Sequence, residues 1–175
     1  MKIKTAMSLA LLCGALSGCA NQPYSHPNLE ADSNYPYQQL NTFCITPKQF
    51  VGSATDVEQI ITDGLNNALT AKGYQQASCE KSDFEVEFYA RRTEEKQMAT
   101  RQIPSAAGTF TEYRMEDVLT GALAIHLKDQ KDTTFWKNLI SKESRTAPSE
   151  EGQTKRIHKA IDILLEPFPG KTAAY

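Results

Sequence analysis

The chain has 175 residues, 40% hydrophobic and 23% charged, with 19 Lys and Arg against 21 Asp and Glu for a formal net charge of −2. That length fits one domain, the composition excludes wholesale disorder and collagen-like repeats, and the charge balance leaves no basic footprint for nucleic acid. The total mixes two unlike parts: the only charges before residue 19 are Lys2 and Lys4, and without them 17 basic residues face 21 acidic ones, a net of −4.

Residues 1–18 read as a signal peptide. Lys2 and Lys4 give a basic start, and Ala6 to Leu16 form an apolar run well short of the roughly 20 residues a bilayer span needs. Leu16-Ser17-Gly18-Cys19 follows in the pattern of a bacterial lipobox. Small residues at 17 and 18 suit a narrow peptidase pocket, and Cys19 supplies the thiol for lipidation. Cleavage would leave Cys19 first in the chain, carrying acyl chains such as palmitate on its sulfur and amine. At about 0.8 kcal/mol per buried CH₂, several chains hold a protein to a membrane where one is marginal. The alternative is an ordinary secretory signal with an incidental cysteine. Ala20, rather than Asp, follows Cys19. That choice resembles lipoproteins sent onward to the cell outer membrane, and the expected location is its periplasmic side.

Residues 19–37 read as the lipidated cysteine and a flexible tether, rich in Asn, Pro, Ser and Tyr. Tyr24, Tyr35 and Tyr37 offer contacts to lipid headgroups or to a partner, or simply flank the first strand. Of four cysteines, Cys13 leaves with the signal, Cys19 takes the lipid, and Cys44 and Cys79 remain. In an oxidising compartment the remaining pair suggests a disulfide. Against it, a helical crossover between parallel strands would put Cys44 and Cys79 far apart, unless the loop over 74–82 doubles back.

A single domain is expected over 38–170, with a short tail at 171–175. Gln38 to Thr46 reads as a strand. Thr55-Asp56-Val57-Glu58 matches a capping box, and Val57, Ile60, Ile61, Leu65, Ala68 and Leu69 make one apolar helix face that Gly73 ends. Asp83 to Arg91 alternates, with Phe84, Val86 and Phe88 to one side and Glu85, Glu87 and Tyr89 to the other. Arg92 to Gly108 is polar and aperiodic, a loose hairpin or a flexible loop. Phe110 to Glu116 looks extended. Leu119 to Leu127 is a strong strand, Asp129 to Asp132 a turn, and Thr133 to Lys142 its hairpin partner. Ser149 opens a second helix whose stripe is Ile157, Ala160, Ile161, Leu164, Leu165 and Phe168, ended by Pro167 and Pro169. The expectation is an α/β two-layer sandwich (α+β), order β-α-β-β-β-α: a mixed sheet of about four to five strands with two helices packed on one face.

Lys72-Gly73-Tyr74, Asp83 opening an alternating strand, Gly121 to Leu127, Trp136 on the next strand and Phe168-Pro169 closing the last helix stand in an order that resembles the bacterial lipoprotein family called domain of unknown function 4136. The likeness spans nearly all of 37–170. It implies a lipid-anchored α/β domain and carries no established activity, hence no catalytic residue. His126, Asn138 and Cys44 depart from the family's usual pattern. A looser likeness of layout, to an outer-membrane lipoprotein of lipopolysaccharide assembly, is analogy at the level of fold alone.

No nucleophile elbow, zinc-protease motif or phosphate loop is present, and His26, His126 and His158 stand at no metal-ligand spacing. Neither a cofactor, a metal nor catalysis is expected. Glu85, Glu87, Tyr89 and His126 mark a candidate partner-binding face. Glu85 and Glu87, about 7 Å apart along one strand, also have a spacing open to paired-carboxylate chemistry, although alternating Glu is the usual wet side of a strand. The expected function is a noncatalytic adaptor or binding module of the cell envelope, bound to membrane through Cys19 and to a protein partner, its oligomeric state unassigned. The alternatives are an envelope or lipopolysaccharide-assembly factor, and a small-ligand binder or hydrolytic enzyme using the open sheet face.

Overall fold

A computed structural model describes residues 23–25, 27–51 and 55–171, without the Thr55 side chain. The expected signal peptide, the lipobox residues Leu16, Ser17, Gly18 and Cys19, and the Thr55 half of the capping box lie outside those residues. In chain order the elements are β1 (Glu30–Ala31), a 3₁₀ turn (Tyr37–Gln39), β2 (Thr42–Val51), α1 (Thr55–Ala71), β3 (Gln75–Gln76), β4 (Phe84–Ser105), β5 (Gly108–Asp129), β6 (Thr134–Ser144) and α2 (Glu150–Leu165). The strands form one mixed sheet in the order β1-β6-β5-β4-β2-β3, with β2 parallel to β3 and β4 and the other pairs antiparallel. The α+β sandwich is as expected. Among the described residues the strand count is six rather than four to five, because two-residue edges β1 and β3 join the sheet, and the chain order becomes β-β-α-β-β-β-β-α.

The apolar stripes make the core. Val57, Ile61, Leu65 and Leu69 of α1 and Ala160, Ile161, Leu164 and Leu165 of α2 are buried against Phe43, Val86, Phe88, Ile125, Leu127 and Trp136 of the sheet. Gly73, at φ +93°, ends α1, and the Ser149 hydroxyl caps α2 by accepting from Gly152 N at 3.2 Å. The Lys72-Gly73-Tyr74 step and the Phe168-Pro169 end meet in space. Lys72 Nζ donates to Phe168 O at 2.8 Å and Tyr74 Oη to Pro169 O at 2.9 Å. Asn138, where the resemblance leads one to expect Gly, is buried and donates to Leu164 O at 2.9 Å, tying β6 to the last turn of α2.

Three expectations change. The first long strand begins at Thr42, after the 3₁₀ turn, and runs to Val51. It passes Pro47 through a register shift between Pro47 and Gln49, where β3 no longer flanks it and a missing N–H costs no ladder bond. The tether is not free over its described part. Ser25 and Asn28 amides donate to Ser141 and Leu139 carbonyls, β1 pairs with β6, and Tyr35 stacks on Phe135 with ring centroids 3.9 Å apart. Residues 24–25 and 27–37 therefore run along the outer edge of β6 and belong to the domain. Finally, of the two alternatives for 92–108 the flexible loop fails and the hairpin holds, fully paired rather than loose, and 110–116 is extended as expected. β4 and β5 pair without interruption from Phe84–Asp129 to Ser105–Gly108 around a two-residue turn at Ala106 and Ala107. β2 stops pairing at Arg91 and β6 at Leu119. The last eleven residues of β4, 95–105, and their partners thus extend as a two-stranded arm roughly 35 Å long.

Candidate functional site

The period of two that sends Phe84, Val86 and Phe88 into the core sends Glu85, Glu87 and Tyr89 to the sheet's other face. Register sets Glu87 between Thr46 of β2 and His126 of β5, and Glu85 between Cys44 and Lys128. All four candidate residues share that face, as the sequence pattern implied. Their environment is not an exposed shallow surface, however. Glu87 is only 2% exposed, and Tyr89 and His126 are half-buried.

The burial of Glu87 has a visible cause. Lys48, which the register shift in β2 leaves unpaired, brings its Nζ to 3.0 Å from Glu87 Oε1 and 3.4 Å from Glu85 Oε1. Lys128 Nζ approaches Glu87 Oε1 at 3.1 Å and Asp132 Oδ1 at 2.9 Å. The Tyr89 hydroxyl donates to Glu87 Oε2 at 2.9 Å, and its ring lies 4.9 Å from that of His126. Burial pushes the Glu87 pKa up, but the bonds from Lys48, Lys128 and Tyr89 outweigh it and hold the carboxyl below its ordinary value. Bonds to Asp132 and Glu87 raise the Lys128 pKa. Burial, aided by Glu87, raises that of Tyr89. Burial, with Lys137 and Lys128, lowers that of His126 despite the nearby Glu87.

A carboxylate saturated by two ammonium groups and a phenol is a fixed charge. Its pKa moves away from neutrality, opposite to the shift a general acid at pH 7 requires. Glu85 and Glu87 also share Lys48 between them rather than flanking an open cleft. Among the described residues, no group of three or more His, Cys, Asp or Glu is placed to hold a metal ion. His158 sits exposed on α2, and His26 lies outside the described residues.

Cys44 and Cys79 are joined in a disulfide, with Cα atoms 5.0 Å apart. The geometric objection fails because the chain doubles back. β3 pairs with Thr42 and Phe43, and Ala77 N donates to Phe43 O at 2.8 Å, so the following loop runs beside β2 before β4 begins. The bridge lies next to Glu85, and the Thr46 hydroxyl stands 3.8 Å from the Cys79 sulfur.

Sequence reasoning missed two sets of residues. Lys48 and Lys128 carry the Glu87 cluster, yet nothing local in the sequence links them to it. The arm is the other set. It leaves Met98 (66%), Tyr113 (64%), Met115 (62%) and Phe110 (58%) exposed. Register puts Met98 opposite Met115 with Tyr113 on the same face, and Ile103 opposite Phe110 on the other. A signal was available. Lys96 and Asp117, and Arg101 and Glu112, are opposite charges equidistant from the Ala106–Ala107 turn, as cross-strand partners should be.

The family described as Domain of unknown function (DUF4136) has a model that matches residues 28–170, and the chain belongs to that family. No curated protein matches it. Among solved structures it is similar to a PelC dodecamer from Paraburkholderia phytofirmans, with TM-score 0.55 and 10% identity, over 86% of this chain and 100% of that one. It is also similar to a PDZ domain protein from Parabacteroides distasonis, with TM-score 0.52 and 15% identity, over 83% of this chain and 36% of that one. At these identities the likeness is one of fold.

Proposed function

We propose that this DUF4136 member is a noncatalytic assembly module of the cell envelope. In this reading a lipid on Cys19 anchors it at the outer membrane, on the periplasmic side, and it docks a protein partner on its hairpin arm. The observation that carries the reading is the arm. A two-stranded ribbon has little independent stability in water, and its outer edges present unpaired backbone groups. This one also exposes Met98, Tyr113 and Met115 together. Apolar residues on an unsupported ribbon are a liability unless a partner covers them. A second copy of the chain is the first partner to test, since it brings matching edges and matching apolar pairs. The dodecameric assembly of the PelC neighbour favours the same choice.

The chain from residue 20, which keeps every described element, is expected to sediment as an oligomer. The double substitution Met98→Glu/Met115→Glu should reduce it to a monomer with an unchanged unfolding midpoint. A wild-type chain that stays monomeric at high concentration refutes self-assembly. The anchor has its own test: Cys19→Ser should release the protein from membranes, and persistent membrane binding would count against lipidation.

A further inference from the structure

The outer end of the arm differs in chemistry from the rest of the molecule. From Gln102 to Thr111, around the Ala106–Ala107 turn, no residue is charged, in a chain that is 23% charged. Arg101 opposite Glu112 is the first charged rung. Within the uncharged end Ile103 and Phe110 stand opposite each other, 40% and 58% exposed. They lie on the face away from Met98, Tyr113 and Met115, so a protein seated on those three leaves them bare. Pro104, Ala106 and Ala107 beside them are exposed as well. Polar groups of this end bond within it. Gln102 Nε2 donates to Thr111 Oγ1 at 2.9 Å, the Ser105 hydroxyl to Gly108 O at 2.8 Å, and Ala107 N to Ser105 Oγ at 3.2 Å. Groups paired in this way lose less on leaving water than solvated ones. The arm as a whole sets Lys96, Arg101 and Arg114 against Glu95, Glu112, Glu116 and Asp117, so no positive excess draws it to an anionic surface.

The course of the chain brings a membrane to this end. The Ser25 and Asn28 amides bond to the Ser141 and Leu139 carbonyls, so the segment before β1 runs along β6 toward Ser144 as its numbers fall. Ser144 pairs with Leu119, at the base of the arm. The route to Cys19 and the arm therefore leave the body at the same end. Cys19 is six residues before Ser25, at most roughly 20 Å of chain. Ala122 is level with Ser141, and from there to Gly108 is fourteen residues, roughly 45 Å of strand. The arm thus outreaches the segment that would tether the body, and an arm inclined to the surface touches the bilayer with its tip.

We infer that the uncharged end of the arm inserts into the interface of the bilayer that holds Cys19. The choice of a bilayer rests on the anchor reading above. Apolar groups at the headgroup boundary sit about 5–10 Å deep. From the turn to the Ile103–Phe110 rung is three residues, roughly 10 Å. That depth immerses both side chains and leaves Arg101 and Glu112, two rungs further, in water. Deeper insertion is opposed by the unpaired backbone groups along the ribbon's outer edges, which find no partner in hydrocarbon.

The test uses the chain from Cys19, coupled through that thiol to a maleimide-bearing lipid in phosphatidylcholine vesicles, with Cys44 and Cys79 already bonded to each other. Coupling imposes the attachment, so a failure here counts against the tip and not against acylation, which Cys19→Ser tests separately. Phe110→Trp puts a reporter at the tip, and the native Trp136, 1% exposed in the core, gives a constant background. On vesicles brominated in their acyl chains the added emission of Phe110→Trp should shift to the blue and be lost. Wild type should lose none, nor should Lys131→Trp, in the β5–β6 turn at the opposite end of the sheet. Adding Ile103→Glu to Phe110→Trp should restore the emission with circular dichroism unchanged. Phe110→Trp emission that bromine does not touch would overturn the inference, as would quenching that survives Ile103→Glu. Equal quenching in Lys131→Trp would overturn it too, because the whole domain would then lie on the surface. So would a blue shift that grows with protein concentration in the absence of vesicles, because a second copy would then cover the tip.

Discussion

Replacing Glu87 by Gln tests whether the polar cluster on the open sheet face is structural. The carboxylate is 2% exposed and receives three contacts, at 3.0, 3.1 and 2.9 Å, from Lys48, Lys128 and Tyr89. Breaking a buried charge pair from one side costs about 3–5 kcal/mol. Here the cost should be lower. The Lys48 and Lys128 side chains are 37% and 19% exposed, and each keeps a second carboxylate, Glu85 or Asp132. We expect a loss of about 2–3 kcal/mol at pH 7, a fall in Tm of roughly 5–10 °C for a domain of this size. The sign of the pH dependence follows from the lowered pKa of Glu87. A carboxyl whose folded pKa lies below its unfolded value, about 4.3, contributes stability that is present above that value. The contribution is lost as pH falls through the folded pKa. The stability gap between wild type and Glu87→Gln should therefore be constant from about pH 6 to 8 and close below about pH 4. Urea denaturation followed by circular dichroism across that range reads it directly. Equal stability at pH 7, or a gap that widens on acidification, refutes the clamped-carboxylate account.

Three further perturbations probe other joints of the fold. The Cys44–Cys79 bridge closes a sequence separation of 35, and removing it with Cys44→Ala/Cys79→Ala should cost roughly 3–4 kcal/mol in urea denaturation, with reductant destabilising wild type alone. Asp83 Oδ2 accepts from the Asn41 and Thr42 amides, each at 2.8 Å, and from the Thr42 hydroxyl at 3.0 Å. Burial raises its pKa, but those bonds and Lys171 outweigh it and lower it overall. Asp83→Asn should cost about 1–2 kcal/mol at neutral pH, and the difference should vanish on acidification; a difference that persists at low pH would show that shape, not charge, matters there. A Cβ on Gly64 would stand 2.6 Å from Ile161 Cδ1 and 3.1 Å from His158 Cδ2, so Gly64→Val should destabilise by about 1–3 kcal/mol, and an unchanged Tm would mean that α1 and α2 separate freely.

How much of this was legible in the sequence depends on which element has a buried side. α1, α2 and the body portions of β4 and β5 each bury one face, so their apolar residues repeat at 3.6 or 2 and declare themselves. The arm buries neither face. Its residues serve pairing, not one-sided burial, so the same β4 that reads as a clean strand up to Arg91 reads beyond it as either a loose hairpin or a flexible loop. The edge segment over 24–25 and 27–37 hid for a related reason. Its hydrogen bonds run from backbone to backbone, and its prolines and asparagines look like linker composition whether or not a strand edge lies beside them. Glu87 shows a different failure. Alternation correctly assigns it to the face opposite the core, and alternation alone then puts it in water. What buries it is a displacement of one residue, the register shift between Pro47 and Gln49, which leaves Lys48 out of the ladder and within 3.0 Å of the carboxylate. A period of two cannot encode a break in its own count. The same break leaves Glu87 held between two ammonium groups, Lys48 and Lys128, rather than open to water.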